Sequence, residues 1–392
     1  MRYLLAFLVL LSLLTIVFLG LFVLVNDHGW DAQLYCQAAA LDRAGGNPYL
    51  ARDFIYGLPW LYPPGLLNIF RLLCAPPLDF ASTYVPLFLG IAVACLPLWR
   101  PGNAWPMALV ISVGGFTGLT WSLMTGNLDL LFLLPISLVF WAVERRHWEI
   151  AALGLAIAAG VKLFPIVHLI LLLLAPIPWR ERWRALAVGL GAFVVIFLSL
   201  TLSRLPLLGW YWQQLLGRVP GQYRPVDEFG SISHPAFPYL IARVLGWPND
   251  ASVLLPGLLV GALVLALLAV VVWRGVLPHI PSEERFELVF ALGFLALHLI
   301  MPRLKPYSFT LLTPALFWLM RRQALGVQSL LVLSTVLYPA IAFYIAHHWP
   351  DESFPSLFKT YSQPIALLIV LVLVPVAERF RFGNEQRYAR TT

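Results

Sequence analysis

Long apolar runs and short polar interruptions alternate along this chain. Runs of spanning character cover residues 3 to 25, 82 to 99, 104 to 122, 127 to 143, 184 to 202, 251 to 273, 286 to 301, 307 to 320, 326 to 346 and 362 to 378. A helix rises about 1.5 Å per residue, so about 20 apolar residues cross a hydrocarbon layer roughly 30 Å thick. The first run follows Met1 and Arg2, and no small-residue cleavage site follows it, so it is read as a membrane helix and not a removed signal peptide. The stretch "EIAALGLAIAAGVKLFPIVHLILLLLAP" lies between two basic clusters, "ERRHWE" and "WRERWR", that both belong on the cytoplasmic side. One straight helix would strand one of them outside. Two short helices broken at "VKLFP" satisfy both, and broken helices are tolerated where protein or a water-filled cavity supplies the backbone's partners. The pattern then predicts twelve segments, both termini in the cytoplasm, and Lys162 at a hairpin tip near the outer face.

The predicted fold is therefore an all-α integral membrane protein, a polytopic bundle of about 12 transmembrane helices forming one domain, residues 1 to 392. Three outward segments are long: 26 to 81, 203 to 250 and 347 to 361. All are rich in Trp, Tyr, Pro and Gly, and loops of that size usually carry function. Within the first, "WDAQLYCQAAALDRA" repeats its apolar residues at helical spacing and reads as an amphipathic helix at the outer interface, followed by a "YPP" turn. No internal repeat is visible, which weighs against repeat-built transporters.

Composition narrows the choice. The 392 residues are 60% hydrophobic and 11% charged. A net charge of +7 would suggest nucleic acid in a soluble protein, but here the Lys and Arg sit in clusters between apolar runs, as the positive-inside rule requires, so no nucleic-acid partner is expected. Cys36, Cys74 and Cys95 have no metal-ligand spacing; a bridge between Cys36 and Cys74 outside the membrane stays open. His168 and His298 lie on apolar faces as packing residues, and neither a metal site nor a cofactor is expected.

The acids gather after the first run, as Asp27, Asp31 and Asp42. Asp31 opens the amphipathic helix, and two roles are open to it: an N-terminal cap, or a general base acting on a hydroxyl at the membrane surface. Asp27 and Asp42 are weaker candidates of the same kind. "TGNLD" offers Asn127 and Asp129 between two spans. Lys162, inside an apolar stretch, is costly unless it meets a cavity or a partner. With Arg303 and Lys305 of "MPRLKPY" it could hold a phosphate near the bilayer.

Asp31 and Tyr35 after the first span, "GGNPY" at 45 to 49, "YPP" at 62 to 64, "GNLD" at 126 to 129 and "VKLFP" at 161 to 165 together resemble glycosyltransferase family 87 of the GT-C class. The likeness runs along the first half of the chain. In the second half Tyr307 stands near a place where many relatives carry His. The resemblance implies a polyprenyl-phosphate-linked sugar donor, mannose being the sugar it favours, a glycan or glycolipid acceptor, and transfer with inversion. It implies Asp31 as general base and Lys162, Lys305 and Arg303 around the donor phosphate. Tyr35, Tyr62, Asn127, Asp129 and Tyr307 would contact substrate, with Trp60 and Trp121 stacking on sugar faces. The expected location is the cell's inner (plasma) membrane, multi-pass, with the active site facing the outside or periplasm. Two other classes compete: a transporter or flippase of lipid-linked sugars, and a structural or assembly membrane protein that would tolerate substitution of both Asp31 and Lys162.

Overall fold

The computed structural model describes residues 2–25, 28–216, 218–219, 236–248, 251–301, 304–348 and 356–391. Asp27, Arg303 and most of the polar part of the 203 to 250 segment lie outside the described residues. Every regular element among those described is helical: α1 (Arg2–Val25), α2 (Trp30–Arg43), α3 (Leu66–Leu73), α4 (Phe80–Trp99), α5 (Trp105–Gly114), α6 (Gly118–Thr125), α7 (Leu133–Glu144), α8 (Trp148–Val161), α9 (Trp179–Leu202), α10 (Leu205–Leu215), α11 (Phe237–Val244), α12 (Leu254–Gly275), α13 (Ser282–Leu299), α14 (Thr313–Met320), α15 (Leu325–Val332), α16 (Tyr338–His348), α17 (Ser356–Thr360) and α18 (Ser362–Thr391).

Five helical stretches among the described residues are long and apolar enough to cross a membrane: Phe80–Trp99, Gly102–Thr125, Trp179–Leu202, Leu254–His279 and Leu325–Ala346. Shorter apolar helices, Tyr3–Phe18, Trp148–Val161 and Phe164–Leu174, cover further runs, and several of the runs are bent or broken locally. The apolar run at 104 to 122 bends between α5 and α6, where Phe116 and Thr117 take φ of 53° and 54°. The runs at 127 to 143 and 307 to 320 open with tight 3-10 turns, Leu128–Phe132 and Pro306–Leu312, before α7 and α14 begin. These turns pack on one another and on α6. A Cβ on Gly118 would meet the Thr310 nitrogen at 2.4 Å, so only glycine allows that approach. Irregular backbone at membrane depth is stable only when buried in protein or lining a cavity, and here three runs become irregular at one place.

The stretch between the basic clusters is broken. α8 ends at Val161, Lys162 is extended (φ −120°, ψ 112°), and a second short helix runs from Phe164 to Leu174. The arms fold back on each other: a Cβ on Gly189 of α9 would touch both Ala152 of α8 (3.1 Å) and Leu169 of the return arm (2.8 Å). Gly160 meets Ile196 in the same way, so α8 runs alongside α9 in the same direction. Their basic starts therefore share one end of the bundle, where Arg184 pairs with Glu149 at 3.3 Å. Glu144 with Arg321 (2.9 Å) and Arg322 with Glu284 (3.4 Å) and Glu287 lie among the same inward-assigned loops.

At the site-bearing end, α2 buries Ala32, Leu34, Tyr35, Ala38 and Ala39 against neighbouring helices, chiefly α3 and α4, so its apolar face is covered by protein. Cys36 and Cys74 form a disulfide across a sequence separation of 38, tying α2 to the end of α3. Cys95 is free and buried. Asp42 is buried between two arginines, Arg71 at 2.8 Å and Arg204, and is thus a structural counter-ion and not a second base. Cross-linking a loop of this size stabilises by about 2 to 4 kcal/mol. Cys36→Ser is therefore expected to lower the thermal midpoint of the purified protein, and an unchanged midpoint under reducing and non-reducing conditions would deny the bridge that role.

Candidate active site

Two left-handed glycines press the start of α2 onto the turn at 125 to 129. Gly29 (φ 76°) donates its N–H to the Met124 carbonyl at 2.8 Å, and a Cβ there would meet the Tyr84 ring at 2.8 Å. Gly126 (φ 74°) lies so close that its Cβ would touch the Ala32 methyl at 2.7 Å. L-residues with side chains rarely adopt this backbone region, so both positions exist to bring two segments together. The cap position of α2 is Gly29, and Asp31 is the second helical residue with no capping bond. That removes the capping account of Asp31. Its Oδ2 instead accepts a 2.6 Å hydrogen bond from Asn127 Nδ2.

Asn127 ties the site together. Its Oδ1 accepts from the Asp129 N–H at 3.1 Å, which fixes the amide's orientation, and its Nδ2 also lies 3.3 Å from the Tyr62 hydroxyl. The Tyr62 and Tyr35 hydroxyls share a 2.8 Å bond, and Leu128 N–H points at the Tyr35 hydroxyl at 3.4 Å. Tyr35 stands one turn after Asp31 on α2, so helical spacing alone delivers both to this network. Tyr49 donates to the Tyr62 carbonyl at 2.6 Å and holds the "YPP" segment in place.

Lys162 is paired. Its ammonium forms an ion pair with Asp129 Oδ1 and lies 4.7 Å from the centroid of the Tyr307 ring, while Ser308 Oγ donates to Asp129 Oδ2 at 2.5 Å. The pair thus joins three segments: the turn after Asn127, the break after α8, and the 3-10 turn before α14. An intramembrane lysine needs a partner, and Asp129 supplies it.

These segments enclose a cavity of about 150 Å³ lined by Trp30, Asp31, Tyr62, Asn127, Lys305 and Tyr307, with Trp121, Thr125, Leu58, Pro59 and Leu61 completing it. Burial pushes the Asp31 carboxyl up from 3.8 to about 6, against the opposing pull of the Asn127 hydrogen bond and of Lys162 and Lys305, with Asp129 adding a smaller push. Burial also raises the Tyr35 and Tyr62 hydroxyls above their ordinary range, so both stay protonated donors. A desolvated carboxylate beside a cavity, with a lysine on the same wall, can take a proton from a hydroxyl while the cation receives a developing negative charge.

Asp31, Tyr62, Asn127, Lys305 and Tyr307 reach the cavity as the motifs suggested. Four candidates do not line it: Lys162 sits behind the wall on Asp129 and the Tyr307 ring, and three others are buried. Tyr35 is fully buried and acts through Tyr62. Asp129 is fully buried on Lys162 and Ser308 and supports the wall without touching its contents. Trp60 is fully buried against Tyr35, Tyr62 and Phe70, so it cannot stack on a sugar. Trp121 does line the cavity, braced edge-on against Phe343. His168 and His298 are buried beside each other in the helical core, ring centroids 6.4 Å apart. Trp30, Thr125 and Ser308 also belong to the site, and only Trp30, which adjoins Asp31, carries a signal in the sequence.

A multi-pass helical membrane protein with a carboxylate-bearing cavity walled by breaks in its apolar runs is the class that this fold and site define. The chain belongs to glycosyltransferase family 87, whose family model matches residues 60–302. The matched region contains Tyr62, Asn127, Asp129 and Lys162; Asp31 and Tyr35 precede it, and Lys305 and Tyr307 follow it. Among solved structures, the crystal structure of ArnT from Cupriavidus metallidurans bound to undecaprenyl phosphate is loosely similar, with 12% identity and a TM-score of 0.37 over 95% of this chain and 77% of that one. No curated protein sequence matches the chain.

Proposed function

We propose that this glycosyltransferase moves a sugar, mannose in the first instance, from a polyprenyl-phosphate-linked donor to an acceptor hydroxyl, with inversion. The observation that supports this best is the Asp31 carboxylate, held by Asn127 on the wall of a small cavity that also presents Lys305. Asp31 removes the acceptor proton as the oxygen attacks the anomeric carbon, and the lipid phosphate departs toward Lys305. Lys162 acts one step back: it neutralises Asp129 and backs the Tyr307 ring, and its charge adds to the cationic field at the phosphate. The donor's prenyl chain stays in the bilayer throughout.

Two features support an active site facing the outside or periplasm of the cell membrane. The Cys36–Cys74 disulfide joins the helix that carries Asp31, and disulfides persist in oxidising compartments. The arginine-rich loops lie among the segments that the positive-inside rule assigns to the cytoplasm. Membership of a glycosyltransferase family weighs against the flippase reading. The whole chain, 1 to 392, is taken as one domain, with α2 lying near the outer interface.

The pH profile tests the base. A base works in its ionised form, so with a pKa of about 6 for the free enzyme, kcat/KM is expected to rise about tenfold per pH unit below 6 and to level off above it. The sign for stability is opposite. Because the folded carboxyl is harder to ionise than the unfolded one, stability is greatest below about pH 4 and is lost as pH rises through about 6. A rate that stays flat from pH 5 to pH 8 would remove Asp31 from the proton transfer.

A further inference from the structure

The short turn Ile55–Gly57 holds Tyr56 in a backbone conformation, φ 54° and ψ 20°, that bulky residues avoid. Glycine occupies this region without cost, yet here the residue is a tyrosine whose side chain is turned outward: Tyr56 is 68% exposed. The turn is nonetheless fixed. The Ile55 N–H donates to Gln37 Oε1 of α2 at 2.9 Å, the Gly57 N–H to the Phe54 carbonyl at 2.8 Å, and Phe54 is buried beneath. The Tyr56 ring stands edge-on to the Trp30 ring, with centroids 6.2 Å apart and planes at 80°. Trp30 directly precedes Asp31 and lines the cavity, as do Leu58 and Pro59, which follow the turn. An exposed aromatic held in a strained backbone by a pinned turn, and continuous with the cavity, is where an observed outlier points to function.

We infer that the exposed Tyr56 ring, braced by Trp30, is a stacking platform for a second sugar ring of the acceptor, just outside the cavity. Aromatic faces bind the C–H-rich faces of sugars while the hydroxyls remain hydrated at the edge, which suits a ring exposed at a cavity rim. The acceptor is the occupant because Trp30 directly precedes the group assigned to take the acceptor's proton and the Tyr56 turn is pinned to the same helix through Gln37, whereas Lys305 and Tyr307 come from a separate segment. The platform rests on the transferase reading above and adds to it that the acceptor is an oligosaccharide or glycolipid of at least two sugars.

The test uses the full-length protein, a radiolabelled polyprenyl-phosphate sugar that the wild type consumes, and methyl glycosides of one and two sugars in the manno, gluco and galacto series as acceptors. Tyr56→Gly relieves the backbone, so its thermal midpoint should equal or exceed the wild-type value. Its KM for the two-sugar acceptor should rise about three- to tenfold, with donor KM, donor hydrolysis and the KM for one-sugar acceptors unchanged. Tyr56→Phe should behave as wild type. An unchanged two-sugar KM in Tyr56→Gly overturns the platform while leaving the transferase reading intact. A joint rise of donor and acceptor KM with a lowered midpoint also overturns it, and makes Tyr56 an anchor at the membrane interface. A wild type that consumes donor but uses no two-sugar acceptor in preference to one sugar contradicts it as well. A wild type that consumes no donor refutes the transferase reading and the platform with it.

Discussion

Asp31→Asn is expected to transfer sugar about 10² to 10⁴ times more slowly than the wild type, the usual contribution of a general base. The substitution keeps the side chain's size and its ability to accept a hydrogen bond from Asn127, so the cavity wall should survive it. Stability should hold or improve at neutral pH, because a carboxylate that burial makes reluctant to ionise is replaced by a neutral amide. An interaction that holds the helix together would show the reverse. Gly29 occupies the cap position and Asp31 makes no capping bond, so neither Asp31→Asn nor Asp31→Ala should carry the loss of about 1 kcal/mol that removal of a cap produces. Transfer rate and melting temperature, measured on both variants, read the two effects separately. A wild-type rate in Asp31→Asn would end the mechanism.

The second large effect lies at the Lys162–Asp129 pair, where loss of one partner strands the other. Asp129→Ala should cost about 3 to 5 kcal/mol, as expected when a buried ion pair loses one member. Lys162→Met should cost at least as much, since it strands a fully buried carboxylate that keeps only the Ser308 hydrogen bond, whereas the lysine stranded by Asp129→Ala is 20% exposed. The double variant Asp129→Ala with Lys162→Met should recover part of the loss, because neither charge is then left alone. Additive losses in denaturant unfolding would show that the two side chains do not stabilise one another. Donor affinity separates structure from binding: if Lys162 also contributes its charge to the phosphate, Lys162→Met weakens donor binding by roughly ten- to a hundredfold, and an unchanged donor affinity confines it to the ion pair.

Much of the site could be read in the sequence because polar and helix-breaking residues inside apolar runs are costly. "YPP", "GNLD", "VKLFP" and "MPRLKPY" each mark a place where the backbone leaves regular helix; Tyr62, Asn127, Lys305 and Tyr307 line one cavity, and Lys162 lies behind its wall on Asp129 and the Tyr307 ring. The break at Lys162 was legible because one straight helix cannot satisfy two basic clusters. What the sequence left hidden was pairing and depth. Nothing in "NLD" says that Asp129 is the partner of a lysine 33 positions later, or that Ser308 completes it. Trp60 and Tyr62 look alike as aromatics near a turn, yet only Tyr62 lines the cavity while Trp60 packs behind it in the core. Hydropathy likewise sees only apolar length, and cannot see that the runs around α5, α7 and α14 are interrupted by tight turns where the site is built. The strained Tyr56 leaves no trace in sequence, since a tyrosine in a loop carries no sign of its φ.

The central claim is transfer of sugar from a lipid-phosphate carrier, and one measurement bears on it most directly. Purified protein in proteoliposomes is given a panel of radiolabelled polyprenyl-phosphate sugars, and both the release of lipid phosphate and the position of the label are followed. The account predicts that one donor is consumed, that its label moves to an added acceptor or to water, and that Asp31→Asn slows this by about 10² to 10⁴ at pH 7. Label that crosses the bilayer still attached to its lipid, with no lipid phosphate released and no change in Asp31→Asn, would contradict the account and describe a flippase.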